Sequence, residues 1–115
     1  MIAPRDLALL VADAMDAKRA DDVLVLDVGA HTPMADYFVI GSAQTTVQIR
    51  AVVDAVEAQM TAAGAALVNR EGDAQARWVL MDYGPVIVHV FGPEARRYYT
   101  LERLWADAPI VERSP

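Results

Sequence analysis

Two periods alternate along the chain. Over residues 5–19, Leu7, Leu10, Val11, Ala14 and Met15 fall at i, i+3, i+4, i+7 and i+8. That is the stripe of an amphipathic helix, and Pro4 suits its first turn. "DVLVLDV" (22–28) is a short Val-rich run that predicts a buried strand, closed by Gly29. Pro33 in "AHTP" argues against regular structure there. "YFVIG" (37–41) predicts a second strand. Ser42, Thr45 or Thr46 can cap the helix that follows, in which Ile49, Val53, Val56 and Met60 recur at helical spacing and which Gly64 stops. "AALVNRE" reads as a short edge strand and "GDAQA" as a turn or mobile loop. Two more strands, about 77–83 and 86–91, meet at a Gly-Pro corner. Pro93 and Glu94 open a last helix that carries Tyr98, Leu101, Leu104 and Trp105 toward one side, a core position for Trp105. Pro109 and the polar "VERSP" predict a loose tail over 110–115.

The predicted order is α-β-β-α-β-β-β-α. Helices interleaved with strands imply an α/β or α+β fold, a mixed sheet of about five strands with helices packed on it. There is no repeat, linker or low-complexity segment, so residues 1–109 read as one domain.

Composition narrows the function. The chain has 115 residues, a formal net charge of −6 and no cysteine, which excludes disulfides and thiolate metal sites and suits a reducing cytoplasm. Its basic residues are scattered, with doublets only at Lys18-Arg19 and Arg96-Arg97. An acidic surface is a poor match for a phosphate backbone and a better one for a basic protein. No apolar run is long enough to span a bilayer. The N-terminal stretch has charges on both sides of its apolar part, as a helix has and a signal peptide does not.

Candidate chemistry is sparse. The two histidines, His31 and His89, have no ligand spacing, and a strand histidine such as His89 is ordinarily structural, hydrogen-bonded between sheet and helix. No G-x-S-x-G elbow supports a hydrolase. Asp27, in an apolar strand, fits either a catalytic carboxylate or one that caps the adjoining loop. Asp36, just before a strand, either accepts backbone N–H bonds in a turn or offers its carboxylate to a partner. "IGS" (40–42), between a strand and a helix, could begin a nucleotidyltransferase site, with Gly41 and Ser42 at a phosphate. That chemistry needs a following acidic pair to hold Mg²⁺, and only Asp54 is available, inside a helical pattern. "RWVLMDYGPVIVHVF" sets Trp78, Asp82, Tyr83 and His89 in an apolar run.

Taken together, "DVLVLDV", "ADYFVIGSA", "TVQIRAVVDAVE", "REG", "RWVLMDYGPVIVHVF" and "RRYYTLERLWADAP" resemble the ribosomal silencing factor (Iojap) family over residues 7–109, most specifically from Glu71 to Trp105. Met34-Ala35 departs from the Thr-Asp common in the family. The resemblance implies a nucleotidyltransferase-like fold without a working metal site, and no enzyme activity or cofactor. It implies binding to the large ribosomal subunit through large-subunit protein fourteen, steric exclusion of the small subunit, and repression of translation under nutrient limitation. The free protein would be a cytoplasmic homodimer with no DNA or membrane partner. The expected partner-binding residues are Trp78, Asp82, Tyr83, Asp36, Arg96 and Tyr99, with Trp78 as the aromatic anchor. The rival reading is a divergent nucleotidyltransferase-like nucleotide-binding protein.

Overall fold

A computed structural model of the chain describes residues 2–75, 77–94 and 108–113. The elements are α1 (Pro4–Ala17), β1 (Asp21–Asp27), β2 (Tyr37–Ser42), α2 (Thr46–Ala62), β3 (Asn69–Asp73), β4 (Trp78–Asp82), β5 (Val86–Phe91) and β6 (Ile110–Arg113). The expected last helix, with Tyr98, Leu101, Leu104 and Trp105, lies outside the described residues.

The strands form one six-stranded mixed sheet in the order β3-β4-β5-β2-β1-β6. β2 and β5 are parallel, and the other pairs are antiparallel. The sheet has one strand more than the sequence pattern predicts. The expected loose tail from residue 110 is instead β6: Ile110 pairs with Leu26 and Glu112 with Val25, and Asp27 N–H donates to the Pro109 carbonyl at 2.9 Å. Proline does not preclude this, because Pro109 stands just before the strand and contributes only its carbonyl.

Strict alternation divides the apolar residues between the two faces of the sheet. Val23, Val25, Val39, Val79, Met81, Tyr83, Val86, Val88 and Val90 pack in one cluster with α1 and α2. Leu24, Leu26, Phe38, Ile40, Ile87 and Phe91 form a second cluster, with Trp78 and Leu80 packed against it. Each central strand is therefore apolar on both sides, which explains why "VLVL" and "VIVHVF" read as continuous runs. Gly41 is required by close packing, since a Cβ there would stand 2.7 Å from the Met15 sulfur on α1. The helix expected to stop at Gly64 ends at Ala62, and Gly64 follows in the left-handed region at φ 80°.

Candidate functional site

The β4–β5 hairpin turns at Gly84-Pro85. Its period-2 geometry directs Trp78, Leu80 and Asp82 away from α1 and α2, and Val79, Met81 and Tyr83 toward them. Trp78 is half-buried opposite Phe91, Leu80 lies opposite His89, and Asp82 opposite Ile87. The edge strand β3 yields to Trp78 at Gly72 (φ 77°), where a Cβ would lie 2.9 Å from the indole Cε3 and closer still to the Trp78 carbonyl oxygen.

Tyr83 does not share this surface. It is 5% exposed, on the helix side, and its buried hydroxyl has no hydrogen-bond partner among the described residues. Burial, reinforced by the Glu57 carboxylate and opposed by Arg70, pushes its pKa up to about 12. The sequence pattern gives the alternation but not which face the helices cover, and it is Tyr83, expected at the partner surface with Trp78 and Asp82, that lies on the covered face.

Asp36 and Asp82 are each bonded to the Gly84-Pro85 corner. Asp82 Oδ1 accepts from Gly84 N–H at 2.8 Å, and the Asp36 and Tyr37 N–H groups both donate to the Pro85 carbonyl, at 2.8 and 3.0 Å. Asp36 is exposed and Asp82 half-buried. Four residues of strand put Asp82 about 13 Å from Trp78 along β4. Trp78 and Asp82 thus mark the two ends of one ridge, with the Asp36 loop bonded to the corner beyond Asp82. Arg96 and Tyr99 lie outside the described residues. Asp27 does what a strand-end carboxylate commonly does: its Oδ1 accepts from Gly29 N–H at 3.3 Å.

His89 is 8% exposed, and the expected hydrogen bond is absent: neither ring nitrogen has a partner among the described residues. The ring is held by aromatic contact instead. It stands edge-on to Phe38 at 5.3 Å between centroids and stacks on Phe91 at 5.9 Å. Burial lowers its pKa to about 4, so the imidazole is neutral at neutral pH.

The turn from Gly41 into α2 is occupied by its own residues. Ser42 Oγ donates to the Asp21 carbonyl at 3.2 Å. Thr45 caps α2, accepting from Gln48 N–H, while the Gln48 side chain accepts from Gln44 N–H and donates to the Arg19 carbonyl. The Asp21 carboxylate is engaged by the Gln44 amide at 2.8 Å, and Asp54 is exposed on α2. Gly41 faces Met15 and not a ligand. Nothing in this geometry favours nucleotide binding over packing.

The family model described as "Ribosomal silencing factor during starvation" matches residues 2–115. The ribosomal silencing factor RsfS of Bacillus subtilis is 40% identical over 108 residues, covering 94% of this chain and 92% of its own length. A mouse protein named "Mitochondrial assembly of ribosomal large subunit protein 1" is 31% identical over 87% of this chain and 45% of its own length. A crystal structure of a Chromobacterium violaceum protein superposes with a TM-score of 0.87 at 28% identity, over 91% of this chain and 88% of that one.

Proposed function

This chain belongs to the ribosomal silencing factor family, and we propose that it binds the large ribosomal subunit through large-subunit protein fourteen and keeps the small subunit from joining. Ribosome silencing is the role the family carries. On the finer reading, translation falls under nutrient limitation because large subunits are occupied, and no reaction is needed. The observation that carries this reading is the match over residues 2–115, which spans both the Trp78–Asp82 ridge and the Asp36 loop. The mouse relative's name supports the large subunit as partner. A net charge of −6 supports a basic partner surface.

On this reading Trp78 is the anchor and Asp82 and Asp36 are the polar rim, with Arg96 and Tyr99 as further contacts. Tyr83 acts from below, by holding the hairpin on the helices. The protein works in the cytoplasm, is a homodimer when free, and engages neither DNA nor membrane. Among the described residues no helix is long and apolar enough to cross a membrane.

Reassociation of purified large and small subunits in a sucrose gradient tests the reading. Excess protein abolishes the joined peak. Trp78→Ala, verified as folded by its melting curve at the assay temperature, needs at least about tenfold more protein, as for a hot-spot residue. Unchanged reassociation with the wild-type chain overturns the proposal.

A further inference from the structure

Three described glycines stand in the left-handed region, Gly64 at φ 80°, Gly72 at 77° and Gly84 at 87°. At Gly64 and Gly84 a Cβ would meet nothing within 4 Å, so glycine serves the backbone alone there. Gly72 differs. A Cβ on it would stand 2.9 Å from Trp78 Cε3 and 3.0 Å from the Trp78 carbonyl carbon, too close for either strand to stay in place. The indole therefore lies against the Gly72 backbone, while β3, whose five residues are all exposed, gives no side chain to either core. The residue before the tryptophan is unusual as well. Arg77 is left-handed at φ 58°, a conformation that costs energy for any residue with a Cβ. Its N–H donates to the Ala74 carbonyl at 3.2 Å, and its carbonyl accepts from Gly92 N–H at 2.9 Å. Its stem runs over Gly92, where a Cβ would stand 3.1 Å from Arg77 Cβ and 3.2 Å from its Cδ. Two left-handed residues thus bracket Trp78, one on the neighbouring strand and one before it in the chain. Such residues persist where the surroundings over-determine them, and they cluster at functional sites.

We propose that Gly72 and Arg77 are positioning residues, which fix the Trp78 indole in the pose that the ribosomal partner reads. The inference rests on the proposed function, in which Trp78 is the anchor. An aromatic side chain that is already fixed loses little rotamer freedom on binding, so more of its contact energy appears as affinity. Trp78 packs on the second apolar cluster, opposite Phe91, and Gly72 adds a further wall to that seat. Arg77 sets the peptide plane from which the tryptophan departs, and the Gly92 bond and the stem over Gly92 hold Arg77 itself. Neither residue needs to touch the partner. If Gly72 served only the backbone, it would be equivalent to Gly64. The two share a left-handed φ and differ in what a Cβ would meet.

The test combines fluorine NMR of the full chain, labelled with 5-fluorotryptophan, with its affinity for purified large subunits. The chain has two tryptophans, and the line lost in Trp78→Phe assigns Trp78. Gly72→Ala moves the Trp78 line and weakens binding about fivefold. Gly64→Ala carries the same left-handed strain without the collision, so it melts lower but alters neither the line nor the affinity. Arg77→Gly eases its own backbone, so its melting temperature does not fall, and it still weakens binding about threefold. In a Trp78→Ala background neither substitution weakens binding further, because no indole is left to position. An unmoved Trp78 line or full affinity in folded Gly72→Ala overturns the inference alone. So do losses that persist undiminished in the Trp78→Ala background, since both residues would then act on the partner independently of the indole. If Gly72→Ala does not fold, Arg77→Gly decides, and full affinity in that variant overturns the inference. A wild-type chain that does not bind large subunits overturns it together with the proposed function.

Discussion

At His89 a group able to carry charge is held in an apolar sheet face with neither nitrogen paired among the described residues. In the unfolded chain it titrates near the ordinary histidine value, while in the fold burial lowers its pKa to about 4. As pH falls below about 6.5 the unfolded chain takes up a proton that the folded chain refuses, so stability drops until about pH 4. Full development of that window is worth roughly 3 kcal/mol. Urea midpoints between pH 7.5 and 4.5 should therefore fall more steeply for wild type than for His89→Leu, which cannot titrate. At neutral pH the variant should be close to wild type in stability, because an apolar group there leaves no polar atom unpaired. Identical pH profiles would mean that the imidazole finds a partner on protonation. The sequence makes His89 conspicuous but not its surroundings. Phe38 and Phe91 reach it from a parallel neighbour and from two residues along its own strand, and only the paired sheet makes those contacts visible.

Among the elements, α1, α2, β1, β2, β4 and β5 were legible because each carries its own signal: a helical stripe or a compact β-branched run bounded by Gly or Pro. β3 was legible as a short edge strand but begins four residues later than expected, at Asn69, and runs two residues further, through Gly72 and Asp73, into what reads as a turn. Its partner β4 decides that boundary. β6 was not legible. Four residues beginning Ile-Val and ending Glu-Arg carry too little pattern, and their strand exists because β1 offers an open edge far away in sequence. The only local hint is the β-branched pair Ile110-Val111, of which Val111 packs on the helix-side core. Removing residues 110–115 should uncover the β1 edge and lower stability by about 2–4 kcal/mol, from the half-buried valine and the lost ladder bonds. Chemical denaturation measures the loss, and a truncated chain as stable as the full one would mean that β6 contributes nothing to the fold. The candidate site was legible as a stretch and not as a surface, because strand alternation sets Trp78 and Tyr83 on opposite faces while helices from elsewhere in the chain decide which face is covered.

For the molecule as a whole, a single sheet divides two apolar clusters, and neighbouring residues of one strand belong to different cores. Val39 faces the helices and Ile40 the other side, both fully buried. Neither core can melt while the other keeps its strands. Ile40→Ala should therefore cost about 2–5 kcal/mol and lower one shared transition, so that thermal melts followed by far-UV circular dichroism and by tryptophan fluorescence coincide. Separate midpoints for the two signals would mean that the faces unfold independently.

The sheet order also fixes a timetable for synthesis. β1 and β2 are neighbours in the chain and can zip together early, but β2 waits for β5 across α2, β3 and β4, and β1 waits for β6, which leaves the ribosome after every other described element. Until then the nascent hairpin has both outer edges open and apolar side chains on both faces, the condition in which one chain adds to another. The most exposed moment in the life of this ribosome-directed protein is thus its own translation, and its yield of folded chains is set by how quickly the distant strands arrive.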